Sequence, residues 1–180
     1  MMAPGEHERT VLRDGIPAAI RPIKPDGAEA LVIAIRRLTP RSRYQRFLSA
    51  RADYSTAEMD PFVKCDGIER IGIVLAPLDE SGEELPPVGV AHCLRDARHS
   101  VSAEVAVVVT DEWQGRGVGS ALIASLARRA AAVGIERWWA LMLTDNFAAR
   151  RLLEKSGRVR REVVSSGLSE LTFDLAPGVG

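Results

Sequence analysis

The chain has 180 residues, 46% hydrophobic and 27% charged, a balance that excludes a disordered polymer and suits one globular domain. Its 24 bases and 24 acids cancel, so no global field argues for nucleic acid or an anionic membrane as a partner. That 21 of the bases are arginine reads as a coding bias rather than a binding surface. No apolar stretch approaches the roughly 20 residues of a membrane span, and residues 1–15 lack a signal-peptide core. Cys65 and Cys93 make no disulfide framework, and His92, Cys93 and His99 lack zinc-ligand spacing. A reducing cytoplasm and no bound metal are therefore expected.

Residues 1–15 are expected to be a flexible N-terminus, residues 16–175 a single domain, and residues 176–180 a flexible tail. Ala18 to Ile23 reads as a strand stopped by Lys24-Pro25. Asp26 then precedes a helix with Ala30, Leu31, Ile35 and Leu38 on one face. Thr39-Pro40 has the chemistry of a helix cap followed by a first helical proline, and Tyr44, Phe47 and Leu48 follow. Ser55 to Glu58 has capping-box spacing ahead of a short segment interrupted by Pro61. Strands follow at about Glu69 to Leu78 and Val88 to Leu94, flanking an acidic loop, Asp79 to Glu84. That loop reads as a solvated hairpin tip or as an attractor of a cationic substrate.

Ala103 to Val109 reads as an apolar strand, and Val118 to Val133 as a helix ended by Gly134. Arg137 to Leu143 is another apolar strand and Asn146 to Lys155 another helix, closed by Gly157. Two last strands, Val159 to Val164 and Leu168 to Leu175, are joined at Ser165-Ser166-Gly167, a hairpin signal. The fold class is α/β. It contains one strand–helix–strand crossover, whose apolar strands should be parallel and covered on both faces.

The segment Gln114-Gly115-Arg116-Gly117-Val118-Gly119-Ser120 joins that strand to that helix. The first amides of a helix lack helical partners and sit at the positive end of its dipole, so they favour an anion. Three glycines in five residues let a phosphate approach the main chain. The loop therefore reads as a pyrophosphate cradle. A dinucleotide fingerprint fits poorly, because its third glycine would fall at Ser120 and its acid, Glu136, precedes the next strand rather than ending it. No Gly-Lys-Ser/Thr of a Walker loop is present.

Written as Gln/Arg-x-x-Gly-x-Gly/Ala, the loop is matched in full by Gln114 to Gly119. This resembles the coenzyme A motif of the GNAT superfamily of N-acetyltransferases, and the order of elements from Ile20 to Leu175 is similar to that family's. The resemblance implies a mixed, mostly antiparallel central sheet with flanking helices, and acetyl-CoA as cosubstrate. It implies that Val107, Val108 and Val109 pair through their main chain with the pantetheine arm, while Gln114 to Ser120 take the pyrophosphate. Asn146, with Ala149 and Leu152, is similar to the family's Asn-x-x-Ala-x-x-Leu segment. It is expected to contact the pantetheine arm, to cap its helix, or both.

An alkylammonium has no lone pair to attack with, so acetyl transfer to an amine needs a base. Glu104, opening an otherwise apolar strand, is the candidate, and partial burial would raise its pKa toward neutrality. A strand-end carboxylate paired with an arginine is the other reading. Amides near Val108 would polarise the thioester carbonyl. The tyrosine that many relatives use as proton donor is replaced by Leu153, so no general acid is assigned.

Ile20 to Ile23 with Pro25-Asp26, and Leu38 to Phe47, resemble the opening of bacterial protein-lysine acetyltransferase domains. This implies a protein lysine of a metabolic enzyme as acceptor, with a homodimer compatible. A small-molecule amine, or a non-catalytic acyl-CoA sensor, are the alternatives.

Overall fold

The computed structural model describes residues 7–175. All seven expected strands form, with ends shifted by a few residues, and an eighth precedes them. They are β1 (Glu8–Val11), β2 (Pro17–Pro22), β3 (Arg70–Pro77), β4 (Gly89–Asp96), β5 (His99–Val109), β6 (Arg137–Leu143), β7 (Gly157–Ser165) and β8 (Leu168–Leu175). They hydrogen-bond into one sheet in the order β1-β2-β3-β4-β5-β6-β8-β7. Every neighbouring pair is antiparallel except β5 with β6. The helices are α1 (Ala28–Arg36), α2 (Pro40–Phe47), α3 (Thr56–Val63), α4 (Val118–Ala132) and α5 (Phe147–Glu154).

Local chemistry explains the helix ends. Thr39 caps α2 by accepting from the Ser42 amide, with Pro40 at the first helical position, and Ser55 and Glu58 close a full capping box on α3. Gly134, at φ +81°, supplies the left-handed turn after α4. Ser166 and Gly167 both have positive φ, as a two-residue hairpin of the type that matches strand twist requires.

Two cores lie on opposite faces of the sheet. On one, Leu122, Leu126 and Ala130 of α4 pack on Ile71, Ile73, Leu75 and Trp138. On the other, Leu31, Val32 and Ile35 of α1 and Met59 and Val63 of α3 pack on Val74 and Val90. Full burial of each such side chain is worth about 1.5–3 kcal/mol.

Two expectations change. Glu8–Val11 is not a free end: it pairs with β2, from Glu8 opposite Ile20 to Val11 opposite Pro17, and Glu8 accepts from Ser125 of α4 at 2.8 Å. Its sequence hid it, since only Val11 of its four residues is apolar. The expected flexibility of residues 1–6 and 176–180 lies outside the described residues. The helix after Asp26 forms as expected from Ala28, with Gly27 before it and no side-chain cap. Finally, β6 is not covered on both faces. Trp138, Ala140 and Met142 are buried, but Leu141, on the opposite face, is 43% exposed and lines a cleft.

Candidate active site: a cleft where two parallel strands part

The parallel pair is short. Ser102, Ala103 and Glu104 register with Arg137, Trp138 and Trp139, and the β5–β6 pairing stops there while both strands continue. Beyond Glu104 the burial alternation of β5 lapses. Ala106, Val107, Val108 and Val109 are all half-buried, as residues of a strand with one vacated edge should be. The gap is a cleft with two arms. One, of about 390 Å³, runs past Val107, Val108 and Val109 to the glycine loop; the other, of about 510 Å³, opens beside Glu104. Asn146, Ala149, Val107 and Arg46 line both arms, so the two are continuous.

In the first arm the loop has the geometry its glycines predict. Gly115 and Gly117 lie at φ +77° and +97°, which a side chain would strain. Gly117 precedes α4, and no side chain caps that helix, so the amides of Val118, Gly119 and Ser120 face out of the helix end without intrahelical acceptors. The residues present therefore fit a diphosphate: open donors, a helix dipole and no competing carboxylate cap.

Gly119 has a second duty, because a Cβ there would stand 3.0 Å from Leu152 Cδ2, so α5 packs against it. Val118 can offer only its amide, since its side chain is buried in the core. Arg116 stacks on Trp113 at 4.8 Å and pairs with Asp14 at 3.3 Å. Gln114 folds back, its Nε2 donating to the Val109 carbonyl at 3.2 Å.

Asn146 is the cap of α5, its Oδ1 accepting from the Ala149 amide at 3.2 Å. It also lines both arms. Leu153 is buried in the second arm's wall, where a tyrosine hydroxyl would otherwise project. Neither Tyr44, 43% exposed, nor Tyr54, stacked on Phe47 at 4.8 Å, lines that arm. No residue of the acidic loop 79–84 lines either arm; Asp79 caps its own loop and Glu84 pairs with Arg21 at 2.7 Å.

Four side chains of the second arm, His92, Cys65, Cys93 and Arg46, were given no role in the site by the sequence reading. His92 of β4 hydrogen-bonds through Nε2 to the Phe62 carbonyl at 2.8 Å, which fixes Nε2 as the protonated nitrogen. Burial, with Arg46 nearby, pushes its pKa down to about 4, so it is neutral at neutral pH. Cys65 also lines the arm, and burial, reinforced by Asp66, pushes its thiol up to about 11. Buried Cys93 is pushed up to about 12 for the same principal reason. Arg46, in the last turn of α2, lies over the rings of Phe47 and Phe62 at 5.0 and 5.9 Å.

A carboxylate far away in sequence holds α2 across the cleft. Asp111 accepts from the Thr39 amide at 2.9 Å, the Thr39 hydroxyl at 3.0 Å and the Ser42 hydroxyl at 2.7 Å. Burial opposes ionisation of Asp111, but these bonds outweigh it and hold its pKa below the ordinary carboxylate value. A carboxylate just after an apolar strand was the only signal for this role.

A strand splayed from its parallel neighbour, above a glycine turn at a bare helix end, is matched by a family description, Acetyltransferase (GNAT) family, over residues 34–157. The chain belongs to the GNAT acetyltransferase family. Acetyltransferase Pat of Mycolicibacterium smegmatis is 31% identical over 140 residues, covering 78% of this chain and 40% of that protein. The chain thus spans well under half the length of that relative. The GNAT domain of S. lividans PAT is 31% identical with a TM-score of 0.81, covering 94% of this chain and 97% of that one. YncA of Salmonella typhimurium, solved with its cofactor acetyl-CoA, shares the fold at a TM-score of 0.66 and 17% identity, covering 91% and 96%. This GNAT chain is thus built on a mixed sheet with one parallel pair.

Proposed function

We propose that the protein transfers an acetyl group from acetyl-CoA to a primary amine, with a protein lysine side chain as the favoured acceptor, in the cytoplasm. The observation that carries the reading is the position of Glu104. It is the last β5 residue still paired with β6 and lines the arm that opens beyond it.

Acetyl-CoA supplies the acyl group as an activated thioester. The chain's own residues do the rest. The main chain of Val107, Val108 and Val109 offers an unpaired strand edge to the pantetheine arm. The amides of Gly115 to Ser120 take the diphosphate, with Gln114 and Arg116 bracing the loop, and Asn146 serves the pantetheine arm from the facing helix. Glu104 accepts the proton of the incoming ammonium, directly or through water, and an amide near Val108 polarises the carbonyl.

Attack by the amine itself, in a ternary complex, is favoured by the state of the thiols. A covalent relay would need a thiolate, and burial holds Cys65 and Cys93 protonated at neutral pH. His92 does not replace Glu104, because its Nε2–H is committed to the Phe62 carbonyl at 2.8 Å and its Nδ1 is buried. The lysine preference draws on the likeness to the PAT domain and to Pat.

Steady-state acetylation of a lysine-bearing acyl-CoA synthetase and of small polyamines by wild type and Glu104→Gln is the test. We expect a loss in kcat/KM of about 10²- to 10³-fold, with acetyl-CoA affinity unchanged. A wild-type protein that binds acetyl-CoA without acetylating any amine would be a sensor, and the transferase reading would fail.

A further inference from the structure

Arg46 stands out among the charged residues of the cleft. It lies at the junction of the two arms, and its guanidinium is held between two aromatic faces. Among the described residues no carboxylate comes within ion-pair distance of it, and none of its five N–H donors has a hydrogen-bond acceptor. Burial lowers its pKa, and the main opposing influence is Glu104, whose charge is felt from beyond contact distance. By contrast Arg70, the other arginine of this arm, donates to the Pro61 carbonyl at 3.2 Å.

An arginine keeps its charge even when poorly hydrated, and its planar fork suits a carboxylate. A lone arginine beside the acceptor's path repels an approaching ammonium, which makes it an obstacle unless the acceptor brings a compensating charge. Arg46 and Glu104 together form a fixed dipole across one cavity of about 510 Å³. The complementary ligand carries an ammonium at one end and a carboxylate at the other.

We propose that Arg46 selects acceptors in which a carboxylate lies close to the target amine, Arg46 taking the carboxylate while Glu104 receives the ammonium. The inference rests on the acetyltransferase reading above and names the substrate class of that same site. An acidic residue flanking a lysine, or the carboxylate of a small amino acid, supplies the same chemistry.

Initial rates at saturating acetyl-CoA separate these sources. One arm uses single-lysine peptides with Glu, Gln or Arg beside the lysine; the other uses 6-aminohexanoate against its carboxamide. Wild type should favour the carboxylate-bearing member of at least one arm by about 10-fold or more in kcat/KM. Arg46→Gln should flatten that ratio, Arg46→Lys should restore part of it, and Arg46→Glu should turn the peptide preference toward Arg. Each variant is first shown to melt cooperatively and to bind acetyl-CoA.

A preference in the peptide arm alone assigns a protein source; one in the small-amine arm alone assigns a metabolite. Turnover indifferent to the carboxylate in both arms overturns the inference and leaves the transferase reading standing. So does an Arg46-dependent preference for succinyl-CoA over acetyl-CoA, which would mean that Arg46 reads the acyl group. Absence of turnover with every amine, despite acetyl-CoA binding, removes both.

Discussion

The two arms of the cleft recognise by different means. The arm beside the glycine loop is built from main chain: a strand edge, open amides and a bare helix end, all within Val107 to Ser120. The acceptor arm is built from side chains: Arg46 from α2, Phe62 from α3, His92 from β4 and Glu104 from β5, brought together from segments up to 58 positions apart. Backbone donors are the same whatever the sequence, so such an arm can serve one ligand across a family. Side chains can be exchanged one at a time without disturbing the sheet, which lets the other arm vary its partner.

Three experiments would break or sharpen that contrast. The largest effect is expected from Gly117→Glu, which strains a residue at φ +97° and sets a carboxylate where the diphosphate belongs. Calorimetry should show acetyl-CoA affinity lowered about a thousandfold, close to 4 kcal/mol. A well-folded variant that still binds would mean that main-chain donors are not what holds the coenzyme.

The second concerns a side chain of the acceptor arm and stability rather than binding. His92 titrates near 4 when folded and near its ordinary 6.5 when unfolded, so between those values the unfolded chain binds more protons. Its contribution is complete above about pH 6.5 and is lost as pH falls toward 4, up to about 3 kcal/mol. Urea titrations across that range should show a shallower pH slope for His92→Gln than for wild type. Parallel slopes would mean that His92 is protonated in the fold.

The smallest effect falls where the arms meet. Asn146→Ala removes the cap of α5 and should cost about 1 kcal/mol of stability, read as a lower urea midpoint. If Asn146 also serves the coenzyme, affinity for acetyl-CoA drops in the same variant, whereas Asn146→Asp keeps the cap and isolates that second loss.

The same contrast explains what was legible. The glycine loop and its flanking strand and helix could be read because close approach and positive φ leave a local signature in composition. Arg137–Leu143 could be read to the residue as an almost continuous apolar run, and Leu168–Leu175 as an alternating strand following a hairpin signal. Arg46 could not, because nothing local distinguishes it from 20 other arginines; only the packing of α2 over β5 removes its partners. His92 read as an ordinary strand residue, since its meaning depends on the Phe62 carbonyl, 30 positions away. β1 was missed because an edge strand of four residues carries too few apolar positions to show a period.

One contact ties the start of the chain to its most demanding loop. Immediately after β1, the Arg13 amide donates to the Arg116 carbonyl at 3.0 Å, and Asp14 holds the Arg116 side chain. The turn that must keep its amides aimed is thereby moored to a segment about a hundred residues upstream. A nick by a protease between β1 and β2 would loosen that mooring while leaving β5, the glycine loop and α4 uncut, and the coenzyme would then have to spend binding energy on setting the loop.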